Sequence, residues 1–254
     1  MVTIDLNCDI GESPDAEQLA REERILEYVT SVNLACGVHA GSPRVMRRLI
    51  GLARARGIAL GAHPGYPDVE SKGRRPMTLP PDEVEAWVAY QVGALAGIAA
   101  LEGARVAHVK PHGALYNQAA RDQRLAECVA RAVVSVDRRL RVYGLAGSCM
   151  IEAAKRLGLT AVEEGFVDRA YRADGTLVPR SEMGAVLHDE REVVERALRL
   201  VGEGVVASAD GQEVRAHVDT ICLHADTDGS DRLAERVRRA LEGAGFRVAA
   251  PHEA

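Results

Sequence analysis

Lysine is nearly missing from this chain. Of its 32 Lys and Arg side chains, only Lys72, Lys110 and Lys155 are lysines. The formal net charge is −5, so there is no basic excess of the kind that marks a nucleic-acid or anionic-membrane surface. Cysteine is present but unpatterned. Cys8, Cys36, Cys128, Cys149 and Cys222 form an odd set with no C-x-x-C pair, which points to a reduced, cytoplasmic protein. The first residues read as a strand rather than a signal peptide, and no apolar run reads as long enough to span a bilayer. No G-x-G-x-x-G follows the first strand, and neither G-x-x-x-x-G-K-[ST] nor H-E-x-x-H occurs. A dinucleotide cleft, a Walker phosphate cradle and the dense helical zinc motif are therefore not expected. Repeats, low-complexity tracts and linkers are also absent, so the 254 residues read as one domain, 1–254.

What the chain has is alternation. From Thr3 to Asp9, Ile4, Leu6 and Cys8 share one face of a strand, while Asp5, Asn7 and Asp9 share the other. Val32 to His39 repeats the pattern, with Asn33 and His39 on the polar side. Ile58 to His63 places Ala59, Gly61 and His63 together. From Val106, the residues His108, Lys110 and His112 project from one face; Pro111, lacking an N–H, must end the ladder there. Helical segments separate these strands, one opening on Ser42-Pro43 as N-cap and first helical residue. Tight turns are expected at Asp174-Gly175 and Asp210-Gly211. Strand and helix alternate to the C-terminus, which predicts an α/β fold with a parallel sheet. Seven or eight strands in about 250 residues favour a single distorted TIM-like (β/α)7-8 barrel.

In such barrels chemistry gathers at the C-terminal strand ends. Those ends carry Asp5, Asn7, Asp9, Asn33, His39, His63, Lys110, His112, Asp168, Arg169, His224 and Asp226. A buried polar row is costly unless its members are partnered, which is why the row reads as a site. His108 alone reads as a satisfied core histidine. Cys8 and Cys36 fall on the apolar face and read as core; Cys222 shares the inward parity but reads as a small core residue. Two chemistries remain open. In one, Asp9, His39 and His63, with His112 or His224, hold a divalent metal that activates water. In the other, carboxylates and histidines act directly as acids and bases, while Lys110 and arginines hold anionic groups. Arg74-Arg75 fits either an anion contact or a solvated loop pair.

These residues also carry a resemblance. Asp5-Leu6-Asn7-Cys8-Asp9-Ile10-Gly11-Glu12, Asn33 to Gly41, Gly61 to Asp68, Gly73-Arg74-Arg75, Lys110 to Asn117, Asp168-Arg169-Ala170-Tyr171 and Ile221 to Asp226 resemble the LamB/YcsF family nearly end to end. Departures stand at Val38, Ser42, Ser71-Lys72, Val167 and Ala225, beside the polar positions; they bear on substrate preference. The resemblance implies a barrel related to the glycoside hydrolase/deacetylase superfamily. It also implies ATP-dependent opening of 5-oxo-L-proline to L-glutamate, with ATP as co-substrate and with B and C partner subunits; a homo-oligomer is left open. On that basis Asp9, His63, Lys110, His112 and Asp168 are the catalytic candidates. Asp9 or His63 would be the base, and Lys110 with His112 would stabilise developing charge. Asn7, Asn33, Arg75, Asn117 and Arg169 are the substrate-binding candidates. Asp9, His39, His63 and His224 remain the candidate ligands should a divalent metal bind. Lys110→Met is expected to abolish turnover with the fold intact.

Overall fold

The computed structural model describes residues 2–13, 15–180, 182–225 and 229–251. Asp226 lies outside the described residues. In chain order the elements are β1 (Thr3–Ile10), α1 (Ala16–Ile25), β2 (Ser31–Ala35), α2 (Pro43–Ala55), β3 (Ala59–His63) and α3 (Pro81–Leu101). Then come β4 (Val106–Val109), α4 (Gly113–Ala119), α5 (Gln123–Val136), β5 (Arg141–Leu145), α6 (Cys149–Arg156) and β6 (Ala161–Phe166). The last are α7 (Glu190–Glu203), β7 (Val205–Ala207), β8 (Glu213–Arg215), β9 (Thr220–His224), α8 (Ser230–Gly243) and β10 (Arg247–Val248).

The strands β1-β2-β3-β4-β5-β6-β9 pair in parallel, and β9 returns to β1 to close the ring. The barrel therefore has seven strands. β10 adds to the first residues of β1, Thr3 opposite Arg247. β7 and β8 form a separate antiparallel hairpin whose turn holds Gly211 at φ +81°, the conformation that favours glycine.

Local chemistry sets the helix starts. Asp15, Asp122 and Asp189 each accept two backbone N–H bonds at the heads of α1, α5 and α7. Ser42 caps α2, with Pro43 as its first residue. β2 stops at Ala35, short of the expected His39. Gly37 takes φ +83° and its N–H bonds to the Ala40 carbonyl, turning the chain out of the sheet. His39 therefore sits on a loop.

α3 corrects a second expectation. By length and composition it is apolar enough to cross a membrane. In this fold it lies against the barrel and buries Val84, Val88, Val92 and Leu95.

Each strand has two environments. Outward, Ile4, Leu6, Cys8 and Ile10 of β1 are at most 1% exposed and join the aliphatic shell with Leu49 and Ile50 of α2. Inward, the ring is crossed by polar bonds. Asp5 accepts from Ser31, Tyr143 and Thr220, which come from β2, β5 and β9. Burial leads the effects on Asp5 and raises its pKa, despite the hydroxyls that favour the anion. The His108 ring stacks on Tyr143 at 4.0 Å and its Nε2 donates to Asn33 Oδ1 at 2.8 Å. Burial pushes His108 down to about 3, so it is a neutral, satisfied core histidine.

Candidate active site

The C-terminal strand ends open into a cavity of about 760 Å³. Asp9, Glu12, His63, Lys110, His112 and His224 all line it. Three small constellations organise this floor.

The first is built on Lys110, which is 2% exposed. Its backbone N–H bonds to Ala62 of β3, so the residue follows the sheet after β4 ends. Nζ meets Asp9 Oδ1 at 2.9 Å and Glu164 Oε1 at 2.8 Å, and donates to Cys222 Sγ at 3.1 Å. Burial opposes the ammonium, but the carboxylates of Asp9 and Glu164 outweigh it and hold Lys110 well above the usual lysine range. Burial keeps the Cys222 thiol protonated by raising its pKa far above the ordinary value. Glu164, fully buried, also accepts from Asn7 Nδ2 and from the Tyr116 hydroxyl. Asp9 Oδ1 accepts a further bond from Asn33 Nδ2 at 2.8 Å. Burial disfavours its charge, yet His63 and Lys110 hold the Asp9 carboxyl well below the usual range.

The second constellation is His63, His112 and Glu12. His63 Nδ1 lies 2.8 Å from the Lys110 carbonyl, and His112 Nε2 lies 2.9 Å from the Lys72 carbonyl. A carbonyl only accepts, so both of those nitrogens carry protons. That turns His63 Nε2 and His112 Nδ1 toward each other at 2.9 Å. Two bare lone pairs at that distance repel, so a positive charge belongs between them: a second proton on His112, or a cation. Glu12 Oε1 is 3.0 Å from His112 Nδ1 and Asp9 Oδ2 is 3.3 Å from His63 Nε2. Burial works against the Glu12 anion, but His112 and His63 more than compensate and keep it ionised far into acid. His39 stacks on His112 at 4.0 Å with rings 5° from parallel. Burial, then His112 and His63, push His39 down to about 2, so it is the neutral ring of the stack.

The third is an Asp–His dyad. Asp168 accepts from the backbone N–H of His224 at 3.1 Å and lies 2.8 Å from its Nδ1. Burial opposes its charge, and His224 restores it, lowering Asp168 below the ordinary value. The carboxylate fixes Nδ1–H, which leaves Nε2 as the ring nitrogen His224 can offer to a substrate. The ring packs parallel to Phe166 and lines the cavity.

Several expected roles change. Asn7 and Asn33 do not line the cavity. Both are fully buried and committed to one another, Asn33 Nδ2 to Asn7 Oδ1 at 2.7 Å; they position Lys110, Asp9 and His108. Arg75 does not line it either: its guanidinium turns away onto Asp68 and Glu70, and its neighbour Arg74 reaches the cavity, 3.4 Å from Glu12. Arg169 does line the cavity, though its Nε and Nη2 donate to the Ala185 and Val178 carbonyls. Asn117 lines it from α4 while donating to the Gly113 carbonyl. The four expected metal ligands do not converge. Among the described residues, two groups bring their ligand atoms within 4.8 Å: Glu12 with His63 and His112, and Asp9 with Cys222 and His224. His39 belongs to neither. The first set offers ionised or bare donors of the kind zinc-like ions take; the second would need a thiol to ionise against burial.

Glu12 and Glu164 are the residues that strand parity missed. Glu12 follows Gly11 in a loop, and only the Asp5–Glu12 motif contains it. Glu164 adjoins Glu163, so the alternation that marks β1 is lost there.

A parallel α/β barrel whose strand ends present histidines, carboxylates and one buried lysine to a single cavity is the architecture of a hydrolytic barrel enzyme. Residues 4–254 match the model of the LamB/YcsF family, and the chain belongs to that family. It is 51% identical over 251 residues to the A subunit of 5-oxoprolinase from Geobacillus kaustophilus, covering 99% of this chain and 98% of the relative. It is 47% identical over 253 residues to the corresponding 5-oxoprolinase chain of Bacillus subtilis, covering 100% and 98%. The solved lactam utilization protein from Thermus thermophilus superposes with a TM-score of 0.90 at 45% identity, covering 98% of this chain and all of that one. A putative cellobiose-phosphate cleavage protein from Enterococcus faecalis, at 14% identity and TM-score 0.54, shares the fold alone; it covers 98% of this chain and 97% of its own. The T48 deacetylase, at 14% and 0.50 with 98% and 87% covered, does likewise.

Proposed function

We propose that this chain is the A subunit of a cytoplasmic, ATP-dependent 5-oxoprolinase working with B and C subunits. The reaction is 5-oxo-L-proline, ATP and two waters giving L-glutamate, ADP and phosphate. The end-to-end likeness to proteins named as the A subunit of 5-oxoprolinase carries the reading; the cavity supplies groups that suit the chemistry.

A lactam carbonyl is a poor electrophile. Transfer of the terminal phosphoryl group of ATP to its oxygen makes the ring carbon open to attack. Water then adds to that carbon and loses a proton to a base. His63 suits this better than Asp9, because the charges around Asp9 hold it ionised and it binds a proton weakly. Lys110 and His112 face the negative charge of the transferred phosphoryl group on the tetrahedral carbon. The carbon–nitrogen bond breaks as His224, steadied by Asp168, gives its Nε2 proton to the ring nitrogen, while the added hydroxyl releases its remaining proton to solvent and becomes the new carbonyl. The product is an acyl phosphate, which a second water opens to glutamate and phosphate. Arg169 and Arg180, which both line the cavity, are the groups for the substrate carboxylate.

A second reading is favoured by one observation, the facing lone pairs of His63 and His112. A divalent ion held by Glu12, His63 and His112 would supply Lewis-acid polarisation, and the base would then be Asp9. An amide hydrolase or deacetylase that needs no ATP would follow from it. The test is 5-oxoproline-dependent formation of ADP and glutamate by the chain with its B and C subunits, with and without chelator. Stoichiometric ADP and glutamate support the first reading. Chelator-sensitive amide hydrolysis without ATP would replace it with the second.

A further inference from the structure

The helix α3 is apolar on both sides. Its inner side packs on the barrel. Its outer side carries no charge from Ala86 to Leu101, and its buried residues are confined to Val84, Val88, Gln91, Val92, Leu95 and Ala99. Exposed positions recur at 83, 86, 90, 93, 97 and 100. That alternation of three and four is the spacing of a helix–helix seam. Tyr90 is 61% and Leu101 71% exposed, while a Cβ at Gly93 or Gly97 would meet nothing within 4 Å. The strip is bordered by ion pairs, Glu85 with Arg131 of α5 at 2.7 Å and Glu102 with Arg47 of α2 at 2.5 Å. An apolar strip inside a polar rim is the anatomy of an interface.

We propose that this face pairs with α3 of a second copy, antiparallel, about a twofold axis passing between residues 93 and 94. Charge complementarity identifies the occupant. Exposed Asp82 and Glu83 stand at the N-terminal end of the helix, and exposed Arg54 and Arg105 stand at its C-terminal end; the Arg54 guanidinium lies over Gly103. Antiparallel pairing sets each acidic end on the other copy's basic end and opposes the two helix dipoles. In that register Tyr90 of one copy fills the space above Gly97 of the other. Leu101 meets Ala86, and Asp82 comes beside Arg105. Each contact is made twice, as a twofold interface requires. A stable dimer needs about 800 Å² from each copy, so α2 and α5 must flank the helix pair. An anionic membrane is a poor occupant, because α3 has acidic residues and no basic ones.

Sedimentation velocity across a concentration series tests this. The wild-type chain is expected to dimerise. Gly97→Arg has open space within its own copy and improves helix propensity, so it should fold normally by circular dichroism yet weaken dimerisation about tenfold or more. Asp82→Arg with Glu83→Arg should weaken the dimer, and adding Arg54→Glu with Arg105→Glu should restore it. Gly93→Cys, beside the axis, should give a disulfide-linked dimer on oxidation. A wild-type monomer at every concentration would overturn the proposal. So would a dimer indifferent to Gly97→Arg, or an α3 face that binds only the B or C subunit or anionic vesicles.

Discussion

Read from sequence, Lys110→Met silences the enzyme and spares the fold. The structure attaches a stability cost to the second half. Lys110 Nζ is the shared counter-charge of Asp9 and Glu164 inside the ring. Removing one partner of a buried ion pair costs about 3–5 kcal/mol, because the remaining charge stays buried. In a domain of this size that is a fall of roughly 6–20 °C in melting temperature. The pH dependence separates this cause from lost packing. In the wild type the depressed Asp9 pKa stabilises the fold above the unfolded value and loses that contribution as pH falls through the folded one. The raised Lys110 pKa contributes fully below its unfolded value, so it is constant across neutral and mildly acidic pH. Without Lys110, Asp9 is better neutralised by a proton than by its surroundings, so the variant gains stability relative to wild type as pH falls. Melting curves at about pH 8 and about pH 5 should show the larger deficit at the higher pH. An equal deficit at both, or one below about 1 kcal/mol, would refute the counter-charge role.

His224→Gln and Asp168→Asn should each lower kcat by about 10²–10⁴-fold with little change in KM; steady-state rates of the assembled enzyme check this, and full kcat in both would remove the dyad from the mechanism. A Cβ at Gly61 collides with the His108 ring, so Gly61→Ala should cost about 1–3 kcal/mol, and an unchanged urea midpoint would contradict that packing. His39 and His108 stay neutral when folded, with pKa values of about 2 and about 3. The unfolded chain therefore binds protons that the folded chain refuses, and stability should fall below about pH 6.5 by up to about 1.4 kcal/mol per pH unit for each. The raised pKa of Asp5 offsets part of this, and His108→Gln should flatten the urea-midpoint profile. If Glu12, His63 and His112 hold zinc, uptake should release a proton and tighten as pH rises. Calorimetry in two buffers reads this, and binding that survives His112→Ala would exclude the site.

The barrel was legible because β1 alternates cleanly and the helix caps are explicit. Asp5, Asn7 and Asp9 do face inward together, and Lys110 and His112 follow from the same parity past Pro111. The sequence could not divide that row by depth. Asn7 and Asn33 share the parity of Asp9 but lie below it, where their amides are used up by the ring. Arg74 and Arg75 are adjacent in a loop without a period, so no spacing rule tells which one faces the cavity. His39 reads as part of a strand because Gly37 passes the alternation test equally well in a strand or in a left-handed turn.

The inward polar ring and the outward aliphatic shell obey different rules of change. The shell is a matter of volume: Leu6, Leu49 and Ile50 can be exchanged for similar side chains if the space stays filled. The ring is a matter of direction. Asn7, Asn33, Glu164 and Thr220 each meet named donors and acceptors, and no isosteric hydrocarbon satisfies them. A saturation scan of β1 should therefore show a tolerance that blinks on and off with every residue, permissive at Leu6 and closed at Asn7. Drift in the shell leaves the chemistry untouched, while a single exchange in the ring removes the frame on which the cavity floor stands.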